Sequence, residues 1–153
     1  MPCLCLVHPS PSQFFSICTY IYMYVSHHTV HVKTDPTIRT QAEQALKAAE
    51  QQDFLNFAGA LATELSGEDR PAAVRQLAGI HFKNLLHAKD EAVQTAKHDK
   101  WKTLDGGGRA AVKALLLQAL RSPEQIARHT AAQAAAEMEL IEAEGESSEA
   151  VSG

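Results

Sequence analysis

From Pro36 to Met138, apolar side chains recur every three or four residues in successive blocks, and a proline, a Ser-Gly pair or a glycine run separates one block from the next. That spacing gathers the apolar residues of each block along one stripe of a helix. Alanine is abundant from residue 42 onward and aromatics make up only 6% of the chain, a balance that favours helix packed on helix.

The punctuation sets the helix limits. Asp35 is the expected N-cap of the first helix, with Pro36 at the first helical position, where a missing N–H costs nothing. Ile38, Ala42, Ala45, Leu46 and Ala49 form its stripe. A second helix carries Leu55, Ala58, Leu61, Ala62 and Leu65, with Phe54 and Phe57 beside them, and stops at Ser66-Gly67, where Gly67 can take a left-handed cap. A third begins at Pro71 and buries Val74, Leu77, Ala78, His81, Phe82, Leu85 and Leu86. Gly79 lies inside this third helix at a cost of about 1 kcal/mol against alanine, which points to close approach of a neighbouring helix.

His98-Asp99 reads as part of a polar turn, and Trp101 and Leu104 precede a loop at Asp105 to Gly108. The triple glycine lacks the Lys-Ser/Thr signature of a phosphate loop and reads as a helix entry. Val112, Leu115, Leu116, Ala119 and Leu120 follow as a fourth stripe. Ser122, Pro123 and Gln125 then form a capping-box pattern ahead of Ile126, Ala127, Thr130, Ala131, Ala134 and Met138. Units of roughly 35–50 residues made of paired helices have the size of HEAT or armadillo repeats. A plain helical bundle predicts the same stripes, so periodicity leaves both open.

Charge divides the 153 residues into three segments. Residues 1–32 carry no Lys, Arg, Asp or Glu. Residues 33–141 hold all 14 basic side chains and 14 acidic ones, and residues 142–153 hold the remaining acids, Glu142, Glu144, Glu146 and Glu149. The boundaries expected are therefore an atypical segment over 1–33, disordered or misassigned to the gene, a helical region over 34–141, and a disordered acidic tail over 142–153. A net charge of −4 gives no basic face for nucleic acid. Phe14 to Val25 is apolar but too short to span a bilayer, and no basic residue precedes it as in a signal peptide. Cys3 and Cys5 with His27, His28 and His31 lack the two spaced ligand pairs of a structural zinc site. No nucleophile is set beside a base, so neither catalysis nor a cofactor is expected.

Three motifs in order resemble the N-terminal domain of the importin-β (karyopherin-β) family. Arg39, Ala42, Glu43 and Leu46 match an Arg-x-x-Ala-Glu-x-x-Leu signature. Arg75, Ala78, Phe82, Lys83 and Asn84 match a second signature, and Trp101 followed by "GRAAVKALLLQAL" is similar to a third. The resemblance covers about residues 35–140. It implies an all-α, right-handed HEAT/armadillo-like solenoid. It implies the N-terminal portion of a nuclear transport receptor working between cytoplasm and nucleus, with the GTP form of the small GTPase Ran as partner. Nucleoporins and cargo would use later repeats.

On that resemblance the helices at 36–50, 70–88 and 123–140 line the inner face, and Arg75, Lys83, Asn84 and Glu43 are the candidate GTPase contacts. From residue chemistry alone, Lys83 can equally be a solvated edge, and Asn84 can bond a backbone carbonyl or bridge two repeats. Residues 1–33 do not match the amphipathic helix that opens the family, which leaves Ile38 and Leu46 short of a partner. The chain reads as a fragment or truncated gene model. A generic helical-repeat scaffold with another partner, or a non-functional fragment, are the alternatives.

Overall fold

A computed structural model describes residues 36–151, which form six α-helices: α1 (Pro36–Gln52), α2 (Phe54–Ser66), α3 (Ala72–Leu86), α4 (Glu91–Lys102), α5 (Gly106–Leu120) and α6 (Gln125–Val151). The cysteines, His27, His28, His31, the Phe14–Val25 run and the Asp35 cap lie outside the described residues.

Local chemistry explains most of the helix starts. Asp53, Asp90 and Asp105 each accept a hydrogen bond from the backbone N–H three residues ahead, at Asn56, Val93 and Gly108, at 3.1, 3.0 and 2.9 Å. Three helix ends differ from those that the sequence predicts. Gly67 closes α2 with an extended backbone, φ −70°, rather than a left-handed one. Ser122 accepts from Glu124 N, while the Glu124 side chain accepts from Ile126 N and its carbonyl accepts Arg128 N, so the cap of α6 has moved to Glu124. Asp105 caps a helix that starts at Gly106, so the triple glycine is a first turn and not a loop. A Cβ on Gly108 would lie 2.5 Å from Leu55 Cδ2, so the third glycine lets α5 close on α2.

The stacking decides between bundle and solenoid. In an up-and-down bundle each helix packs against its neighbours in sequence. Here α2 packs on α3 and α5 on α6 as hairpins, but the hairpins meet as α2 on α5 and α3 on α6, with no contact between α3 and α5. Moving from Gly79 to His87 along α3 moves from Thr130 to Glu137 along α6, so these two helices run parallel. Two like hairpins laid one upon the other make a helical-repeat solenoid.

The core is continuous across the stack. Phe57, Leu61, Leu65, Val74, Phe82, Leu86, Trp101, Leu116, Ala131, Met138 and Ile141 are all buried within one cluster. Leu46 joins that cluster at 5% exposure, so it does not lack cover as expected. Among the described helices α1 packs on α2.

Gly79 has the close-approach role anticipated for it. A Cβ there would fall inside the contact radius of Thr130 Cγ2 and only 2.9 Å from Thr130 Cβ. Gly79→Ala is therefore expected to destabilise the chain by about 2 kcal/mol, overpacking outweighing the gain in helix propensity. A thermal melt of that variant at or above the parent's would refute the close contact.

Two segments read as irregular are helical. His98 and Asp99 lie in α4, with His98 buried and its Nδ1 3.0 Å from Glu144 Oε2. Helix α6 continues past residue 141 to Val151, where an acidic disordered tail was expected. Its first turns beyond that point are held by tertiary contacts: Ile141 is buried, Lys113 reaches Glu139 at 2.6 Å and Glu142 at 3.2 Å, and Glu144 meets His98. Those two carboxylates hold the Lys113 ammonium above its usual range.

Candidate partner-binding surface

The residues singled out from the sequence do not share one environment. Arg75 points inward and is 2% exposed. Its Nε donates to the Leu65 carbonyl at 2.8 Å, and its two terminal nitrogens donate to the Glu68 carboxylate at 3.2 and 3.4 Å. Glu68 also accepts from Ser122 Oγ at 3.2 Å. Arg75 thus ties the end of α2, the α2–α3 turn and the α5–α6 turn together through one donor on each of its three nitrogens. A flexible, strongly hydrated lysine would not serve here, because the planar fork matches one carbonyl and one carboxylate together. Its place among candidate GTPase contacts gives way to this structural task.

Lys83 and Asn84 do lie together at the surface, Lys83 half-exposed and Asn84 exposed. The Asn84 carbonyl accepts from Lys97 Nζ, whereas its side chain takes no hydrogen bond to the other described residues. Of the two roles open to the Asn84 side chain, bonding a backbone carbonyl or bridging two repeats, neither is filled among the described residues. Gln76 and Ile80 are exposed on the same face, two turns and one turn before Asn84 respectively. Ile80 keeps 40% of its surface in solvent, more than a core-facing isoleucine would. The reading from motifs overlooked Gln76 and Ile80. The signal was present in the fourfold spacing 76, 80, 84, which separates them from the buried row Val74, Ala78, Phe82 and Leu85.

Glu43 lies exposed on α1, its carboxylate 3.0 Å from Arg39 Nε. Burial pushes the His81 imidazole below the ordinary histidine range, and the Glu43 carboxylate pulls it part of the way back. The α3 row holds an amide pair, one exposed isoleucine and one lysine ammonium. It suits a polar protein partner with an apolar spot at its centre.

Two open grooves lie elsewhere. One of about 360 Å³ runs between α4 and the far end of α6, and one of about 310 Å³ lies at the Arg70 and Arg75 turn. Among the described residues no group of three or more His, Cys, Asp or Glu is placed to hold a metal, and no helix is long and apolar enough to cross a membrane.

Residues 42–122 match the family model of the importin-beta N-terminal domain. The chain is 35% identical over 108 residues to importin subunit beta-1 of Arabidopsis thaliana, and 33% identical over 108 residues to importin subunit beta-1 of Schizosaccharomyces pombe. Each alignment takes in 71% of this chain and 12% of the relative, so the chain spans about an eighth of those proteins. A crystal structure of importin beta is similar at a TM-score of 0.72 and 33% identity, over 80% of this chain and 14% of that one. The Kap95:Nup1 complex is similar at a TM-score of 0.75 and 27% identity, over 84% of this chain and 14% of that one. The same values hold for a Kap95p structure in which binding induces the switch loops of RanGDP to adopt the GTP-bound conformation.

Proposed function

Because this chain belongs to the importin-β N-terminal domain family, we propose that it forms the opening HEAT-like repeats of a nuclear transport receptor and binds a Ran-type small GTPase in its GTP form. Its place of action is the cytoplasm, the nucleus and the pore between them. It does so by surface recognition, without catalysis. The observation that carries this reading is the surface row Gln76, Ile80, Lys83 and Asn84 on α3, with Glu43 exposed on α1. The structurally similar Kap95p acts on the switch loops of RanGDP, which supports a Ran-type partner for the same family of repeats. No cargo or nucleoporin site is assigned to these residues.

Within the row, Lys83 is the group able to meet a carboxylate of the partner, since its ammonium makes no ion pair with the described residues. Lys83→Glu is expected to weaken binding to the GTP-loaded GTPase about tenfold or more, equivalent to about 1.4 kcal/mol, with a smaller loss for Lys83→Ala. Titration of the full chain against a Ran-type GTPase loaded with GTP or GDP, at two salt concentrations, measures this. Equal affinity for the two nucleotide forms, or no binding by a chain that is helical by circular dichroism, would sink the reading. An affinity unchanged in Lys83→Glu would remove the α3 row from it.

A further inference from the structure

Helix α4 was not anticipated, and its buried face does something specific to α3. The last turn of any helix leaves carbonyl groups without intrahelical donors. At the end of α3, His87 N donates to Lys83 O at 2.9 Å, which leaves the Asn84 and His87 carbonyls open. Lys97 of α4 fills both: its Nζ donates to Asn84 O and, at 3.1 Å, to His87 O. One helical turn before it, Gln94 Oε1 accepts from Ala88 N at 3.4 Å. One turn after it, Trp101 packs edge to face against Phe82, ring centres 6.2 Å apart at 78°. Three successive positions on one face of α4 thus hold the end of α3 by its donor, its acceptors and its core side chain. The cation also lies where the helix dipole is negative.

The carbonyl that Lys97 grips belongs to Asn84, and the neighbouring residue is Lys83. We infer that Lys97 is a positioning residue: it caps α3 from another helix and so holds Lys83 and Asn84 in one orientation for the partner. This rests on the reading of the α3 row as the GTPase surface. Without Lys97 the last turn of α3 frays, Lys83 and Asn84 sample other directions, and the partner must order them again on binding. Lysine at 97 is used for its donors and its charge, not for contact with the partner.

Hydrogen exchange of the full chain separates this from a general loss of stability. In Lys97→Met, the amides of residues 83–88 are expected to exchange about tenfold faster, as befits loss of charge-assisted hydrogen bonds, while those of α2, α5 and α6 keep their rates. Affinity for the GTP-loaded GTPase falls about threefold to tenfold, and Lys97→Arg, which keeps charge and donors, recovers most of both losses. In a double-mutant cycle, Lys97→Met and Lys83→Ala lose less together than the product of their separate losses, because one acts through the other.

Unchanged exchange at 83–88 in Lys97→Met overturns the cap. Faster exchange throughout all helices shows a merely structural lysine and overturns the positioning role, as do independent, multiplying losses in the cycle. If Lys83→Ala and Lys83→Glu bind as the parent does, the GTPase surface fails and the positioning role with it, while the exchange rates still decide the cap.

Discussion

Trp101→Ala is expected to destabilise the chain by about 3–5 kcal/mol, more than any other single truncation in the described core. Trp101 is the largest of the fully buried side chains, at 0% exposure. It is the anchor of α4, whose sequence is otherwise mostly polar. Truncation leaves a cavity against Phe82 that the rigid α3–α6 pair has little freedom to close. With it go the docking of α4 and the grip of Lys97 on α3. The expected drop in melting temperature is about 10 °C or more for a helical region of this size. Trp101→Phe supplies the control. The indole N–H is buried without a hydrogen-bond partner among the described residues, so phenylalanine gives up no hydrogen bond. Its cost should be only about 1–2 kcal/mol, from volume alone. Circular dichroism melts of the two variants test this, and a Trp101→Ala chain within 3 °C or so of the parent would contradict the packing described.

Arg75→Ala is expected to cost about 3 kcal/mol, and here the loss is polar. It orphans the Leu65 carbonyl at the end of α2, frees Glu68 from the turn and empties the space between two hairpins. Arg75→Lys is the informative partner. It keeps the charge but loses the fork, so about half the loss should remain. Were Arg75 instead a charge presented to the partner, Arg75→Lys would keep both stability and affinity. Denaturation of both variants, read beside their GTPase affinities, separates these outcomes. A parental melt for both would return Arg75 to the candidate contacts.

These two side chains mark what could and could not be read from the order of residues. Trp101 is part of a family motif, yet the residues before it show no helical stripe and His98-Asp99 reads as a polar turn. The reason lies in α4 itself: Glu91 to Lys102 has Val93 and Trp101 as its only large apolar residues, and Val93 is exposed. A stripe of one tryptophan gives no periodicity to detect. Arg75 was visible as a conspicuous cation in an apolar helix, but sequence spacing alone does not tell a buried guanidinium from an exposed one. Both are polar residues on a helix until the acceptors at Leu65 and Glu68 are in place.

The acidic end shows the same limit from the other side. Glu142, Glu144, Glu146 and Glu149 have the composition of a segment that cannot order itself, and in isolation that inference is sound. Lys113 and His98, 29 and 46 residues away in sequence from Glu142 and Glu144, supply the missing partners.

The amino-acid order alone determined that this chain is helical, where most of its helices lie, which faces are apolar and which family it resembles. Those properties are local: caps act over three residues, stripes over three or four, and motifs keep their spacing whatever surrounds them. Only the tertiary structure decided that the hairpins stack as a solenoid, that Arg75 turns inward while Lys83 and Asn84 stay at the surface, that α4 packs against the end of α3, and that α6 runs on beyond Ile141. Each of those depends on hydrogen bonds, ion pairs or packing between residues far apart in the chain, whose free energy appears only when the helices have already met.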